Sequence, residues 1–204
     1  MDGETINKIN DLTVKEGHSL VKKKDEGING KADTYALETN VHFPTDMNLL
    51  WDAGRKCLDM IEDAIREGLL DWNGWRKLKY LRRELKVLMR VSAKASSGVG
   101  KNKEGLVRYF LEWSRNLSEK IDASLQAICE RVLKTNQLEM NAKKIETLKY
   151  FHEMLNKQID LVDRRVLRNE TIPAEEKIHS LFEPHTEWLC KGKANKRVEL
   201  GHKI

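Results

Sequence analysis

Asp33 lies in a run from Ala32 to Val41 that otherwise reads as a strand. Strands disfavour aspartate, so this carboxylate needs a reason. It is either a surface or turn residue or an acid placed for chemistry. The run closes on Asn40, His42, Pro44, Thr45 and Asp46. Asn40 and His42 carry groups that can contact a phosphate or brace a turn. Asp46 could ligate a metal or orient a neighbour, but capping of a helix that begins near Met47 accounts for it fully, and Thr45 can cap equally well. Glu38 follows Asp33 by five positions and faces the opposite side of a regular strand, so the two are poor partners for one ion. Glu183, His185 and Glu187 form a second alternating polar set, but no closely spaced second His or Cys completes a zinc site there.

A row of cations offers a different chemistry. Arg76, Lys79, Arg83, Lys86 and Arg90 recur at i, i+3, i+7, i+10 and i+14, which aligns them along one helical face beside the stripe Leu78, Leu81, Leu85 and Leu88. Such a row can neutralise successive phosphates and release their counterions, giving salt-dependent, sequence-blind DNA affinity. An ordinary solvated face, paired with acids on a neighbouring helix, has the same pattern. The window from Trp72 to Ala95 holds eight basic residues and one acid, Glu84. That leaves 29 of the 37 basic residues and 31 of the 32 acidic ones elsewhere. The net charge of +5 is therefore concentrated here. Trp72 and Trp75 at the head of this segment read as core or interface anchors.

The elements that must carry these groups are mostly helical. Ile6 to Lys24 is a polar helical lead-in, and Asp25 to Gly30 a loop with two glycines. Leu50, Ala53, Cys57, Met60, Ile61, Ala64 and Ile65 mark an amphipathic helix that ends at Gly68, and Asp71 or Asn73 is placed to cap the next one. Ser96 to Lys103 reads as a flexible loop. Leu106, Phe110, Trp113, Leu117, Ile121, Ser124, Ile128 and Val132 then keep a seven-residue pattern. After a break at Thr135-Asn136-Gln137, Ile145, Leu148, His152, Leu155, Ile159, Val162 and Val166 keep another. Two such helices joined by a short turn predict an antiparallel hairpin. Thr171-Ile172-Pro173 ends it. Ala174 to Phe182 is expected as a short helix and Arg197 to Ile204 as a strand.

Length and composition bound the reading. At 204 residues, 40% hydrophobic and 34% charged, the chain can bury a core and keep large solvated faces. No run nears the roughly 18 apolar residues of a membrane span, and the polar start is not a signal peptide, so a cytoplasmic location is the expectation. Cys57, Cys129 and Cys190 are odd in number and far apart, and read as reduced packing residues. Neither of the two long helical runs shows a glycine loop of a nucleotide-binding type.

Two blocks carry a family resemblance. Asp33-Thr34, Glu38-Thr39-Asn40, His42, Pro44-Thr45-Asp46 and Asn48-Leu49-Leu50 resemble the start of the catalytic domain of DDE-type insertion-sequence transposases. There a short strand bears the first metal-binding aspartate and runs into an Asn-x-His-x-Pro-Thr-Asp turn. Phe182-Glu183-Pro184-His185-Thr186-Glu187-Trp188, Lys191-Gly192-Lys193 and Val198 to Lys203 resemble a later block of the same family, in the same order. The resemblance implies metal-dependent cleavage and strand transfer of DNA, with Asp33 as the catalytic and metal-binding acid and Mg²⁺ or Mn²⁺ as the ion. It also implies transposon-end DNA as partner, a homo-oligomer as an option, and no membrane or small-molecule substrate. The second Asp and the Glu of the family lie beyond the Val198 to Ile204 strand in the family order. The expectation is thus a truncated transposase, inactive alone and binding no metal stably, or alternatively a non-catalytic helical module that binds DNA or protein. The implied fold is mostly α: a long antiparallel hairpin and two further helices inserted between the first strands of an incomplete ribonuclease-H-like sheet. The expected divisions are 1–30 (lead-in and loop), 31–46 (first strand and turn), 47–172 (helical insertion) and 173–204 (short helix, loop and strand).

Overall fold

Four amphipathic helices, each with one apolar face and short connections, can bury those faces only against one another. In the computed structural model they do so as an up-down-up-down bundle. The structure describes residues 3–20, 36–38, 41, 43–97, 103–190 and 198–203. The chain divides into two units. One comprises residues 1–35 with Ile204 and contains helix α1, Gly3–Leu20; the other, Ala36–Lys203, holds everything described below.

The bundle consists of α2 (Asp46–Arg66), α3 (Leu78–Ser97), α4 (Lys103–Lys134) and α5 (Leu138–Val162). Each helix packs on its neighbour in the chain, and α5 closes the ring on α2. Fully buried Leu50, Leu58, Ile61, Leu85, Phe110 and Ile121 form the centre. Gly54 on α2 lets α3 come close: a β-carbon there would stand 3.0 Å from Leu85 Cδ2. The predicted hairpin is present as α4 and α5, joined where Asn136 takes a left-handed φ of 53°. Among the described residues no helix is long and apolar enough to cross a membrane.

Three expectations change. Neither Asp71 nor Asn73 caps α3, which begins only at Leu78. Residues 72–77 instead make a tight turn, with Trp75 N–H donating to the Trp72 carbonyl at 2.9 Å and Gly74 at φ 83°. The turn wins because it drives Trp75 into the core, 1% exposed, with Nε1 donating to Ser124 Oγ at 2.9 Å; Trp72 stays 54% exposed and is no core anchor. The hairpin's second helix stops before Pro173. It widens into a π-helical turn, Asp163–Leu167, and closes at Asn169, whose φ of 55° departs from helical geometry. Ala174 to Phe182 is not a helix but one 3₁₀ turn, Ala174–Glu176. Arg164 ties this segment back to α5 by binding Asp160, Glu170 and Glu176.

The sheet has three short antiparallel strands: β1 (Ala36–Glu38), β2 (Glu187–Leu189) and β3 (Glu199–Lys203), in the order β1-β3-β2. The predicted strands at each end of the chain are therefore partners, and β2 is an addition. Within β3 the buried members are Glu199 and Gly201, whereas Val198 and Leu200 are half-buried, the reverse of what their alternation predicts.

Cys57 lies in the α2 core with no exposure, and burial pushes its thiol up to about 12. Cys190 is exposed. Titration of the native protein with an aromatic disulfide at pH 8 should modify Cys190 readily and leave Cys57 unreacted until denaturant is added, because only the thiolate attacks. Modification of Cys57 as fast as Cys190 would contradict this packing.

Candidate nucleic-acid interface

The two resembling blocks meet in the sheet. β1 pairs with β3 in the register Ala36 to Lys203, Leu37 to His202 and Glu38 to Gly201, and β2 pairs on the other side with Glu187 opposite Gly201. Asp33, Asn40 and His42 lie outside the described residues. At the end of the first block, Thr45 is the N-cap of α2, its side chain accepting from the Asn48 N–H at 3.3 Å. Asp46 is the first residue of that helix, where a carboxylate suits the positive end of the helix dipole. The cap is therefore Thr45 and not Asp46, whose carboxylate instead binds Arg165 Nη1 at 3.1 Å. Burial pushes the Asp46 carboxyl above the ordinary carboxylate range, against the pull of Arg165 and Lys177.

His185 and Glu183 form a pair at 3.1 Å on the surface. Among the described residues no group of three or more His, Cys, Asp or Glu is arranged to hold a metal ion.

The cationic row is partly as expected. Lys79, Arg83, Lys86 and Arg90 all lie on α3 and are exposed, but Arg76 precedes the helix, in the Trp72–Lys77 turn. The Trp75 turn displaces it for the reason given above. Among the described residues Arg76, Lys79, Arg83 and Arg90 form no ion pair, and Lys86 only lies 6.0 Å from the centre of the Trp51 ring. Arg82, one residue from Arg83 and about 100° around the helix, behaves otherwise. It turns to α2 and binds Asp59 at 2.9 Å, Glu62 at 2.6 Å and the Leu58 carbonyl at 3.2 Å. Partial burial opposes its charge, and Glu62 and Asp59 more than offset that, so Arg82 is held firmly protonated. The same helix thus spends one arginine on internal packing and leaves Lys79, Arg83 and Arg90 without an ion pair among the described residues. Tyr80 and Val87 are also exposed on α3, 58% and 49%, so the cations are interleaved with apolar surface.

One feature had no sequence signal: a cleft of about 1140 Å³ between the turn that leads into α2, the end of α5 and β2. Its walls come from three stretches of the chain, 43–49, 158–179 and 186–188, and only the fold brings the first beside the others. Compared with known protein families, with curated proteins and with solved structures, the chain finds no match.

Proposed function

We propose that this chain is part of a DDE-type insertion-sequence transposase, covering the start of its ribonuclease-H-like catalytic domain, a helical insertion and the strand after it. The observation that supports this best is the pairing of β1 with β3. The two blocks that resemble the family stand at opposite ends of the chain, yet their strands are hydrogen-bonded neighbours with the whole bundle between them. This pairing supports a reading in which a helical insertion interrupts the first strands of one sheet. In this reading Asp33 is the first metal-binding acid, Mg²⁺ or Mn²⁺ the ion and transposon-end DNA the substrate.

Within these 204 residues only Asp33 matches a catalytic acid of the family, and one carboxylate cannot build a two-metal site. Incubated with supercoiled DNA and Mg²⁺ or Mn²⁺, the chain should therefore not nick. The deciding observation is the nucleotide sequence that follows the Ile204 codon, translated in all frames. A strand carrying Asp and then a helix carrying Glu support the proposal; the lack of both removes its main support. Nicking that Asp33→Ala abolishes would instead show a complete enzyme.

The exposed α3 cations favour a second reading, a non-catalytic helical module that binds DNA. DNA affinity that falls steeply with salt and is unchanged by Asp33→Ala separates it from the first.

A further inference from the structure

We infer that the cleft beside the start of α2 binds a nucleoside phosphate, stacking the base on Trp188 and placing the phosphate near Lys177 and Arg165. The inference stands independently of the transposase reading, since it uses neither Asp33 nor the α3 row.

At about 1140 Å³ the cleft slightly exceeds the roughly 300–1,000 Å³ of small-molecule sites, enough for one or two nucleotide units. One wall is aromatic. Trp188 on β2 is 39% exposed, with Phe43 edge-on at 5.4 Å and His179 tilted at 5.7 Å between ring centres. These neighbours fix the indole in place and leave part of it open to a flat partner, which every base can supply. Burial, and then Lys177, hold the His179 imidazole below its ordinary range.

The cleft also carries cations. Arg165 and Lys177 flank Asp46 at the N-terminus of a 21-residue helix, where Thr45 already caps the Asn48 N–H and the helix dipole still favours an anion. Lys177 forms no ion pair among the described residues. The acids of the cleft are mostly engaged: Asp46 with Arg165 at 3.1 Å and Glu170 with Arg164 at 2.9 Å, while Glu187 is exposed on β2. A phosphate is thus offered a free ammonium, a guanidinium that can be shared, and a helix dipole.

Gln158 also lines the cleft; it is 1% exposed and donates from Nε2 to the Asp46 carbonyl at 3.3 Å. Its Oε1 has no partner and is itself buried, so the residue braces the start of α2 and offers the ligand no acceptor. An inorganic anion would leave the aromatic wall unused.

The test uses the full chain, fluorescence anisotropy and a 3′-labelled pentathymidylate with a 5′-phosphate. Trp188→Ala should weaken binding at least fivefold, as loss of one base–aromatic stack does. Lys177→Ala should also weaken it and erase the preference over the same oligomer without the phosphate. Both positions are exposed, and Lys177→Ala on its loop remains informative if the Trp188 variant misfolds. Competition by free thymidine monophosphate identifies a mononucleotide site, and competition by the oligomer alone identifies a strand end; either supports the inference. Binding within twofold of the parent in both variants overturns it, as does no binding at millimolar probe.

Discussion

Trp75→Ala should lower the stability of the bundle by about 3–5 kcal/mol, the cost typical of removing a large buried aromatic side chain. In a chain of this size that corresponds to a melting temperature lower by roughly 6–20 °C. Three losses combine. The indole is 1% exposed, so truncation leaves a cavity in a core that cannot fully collapse. Ser124 Oγ loses the Nε1 donor, keeping only its own bond to the Lys120 carbonyl at 2.9 Å. Lys120 loses the ring it stands over, at 4.1 Å, although its ammonium can still reach the Gly74 carbonyl. Burial holds the Lys120 ammonium below its ordinary range, and the variant, which lets water in, should return it upward. Trp72→Ala, three residues away and 54% exposed, should change stability by less than about 0.5 kcal/mol. Thermal or urea unfolding of the two variants side by side decides the matter, and equal losses would mean that the Trp72–Lys77 turn is misassigned.

The second large effect belongs to α3. Replacing Lys79, Arg83, Lys86 and Arg90 together by alanine should flatten the plot of log affinity for duplex DNA against log salt by about 3–4, since each contacted phosphate contributes about 0.9. At roughly 0.2 M salt the affinity should fall by two to three orders of magnitude by the same relation. The fold should survive, because all four side chains are exposed and alanine is the best helix former. Arg82→Ala is the contrasting case. It leaves Asp59 and Glu62 without their shared partner, so it should lower stability and leave the salt slope nearly unchanged. A parent protein whose DNA affinity is independent of salt would end the DNA reading of this face.

Much of the bundle was legible in the sequence, because a stripe recurring every seven residues over thirty positions admits one local answer. The turn at Asn136 and the Thr45 cap were legible for the same kind of reason: few residues suit those backbone positions. The spacing arithmetic also separated Arg83 from Arg82, and the structure gives those two arginines different tasks. What failed to show depends on tertiary packing. Asn73 resembles a helix cap, but burial of Trp75 two residues later outweighs a cap worth about 1 kcal/mol. The three residues of β2 are too few for a periodicity, and Glu187-Trp188-Leu189 pairs only because β3 is already there. Nor could a sequence reveal that α5 returns to α2, since any of four amphipathic faces could have met. The candidate chemistry divides in the same way. The cations were visible as a local helical pattern, whereas Arg165, Lys177, Gln158 and Trp188 are brought together only by the closed ring of helices.

That closed ring also bears on the order in which the chain folds. Without the bundle, pairing Glu38 with Gly201 means closing a loop of roughly 160 residues, slow and entropically costly. An even number of antiparallel helices returns the chain to where it started, as the contact between Gln158 and Asp46 demonstrates. Once the helices are formed the free loop shrinks to about 45 residues, which lowers the closure cost by about 1 kcal/mol. The helices therefore act as an internal splint for the sheet. In pulse-labelled refolding, amides of α2 and α5 should gain protection before those of β1 and β3.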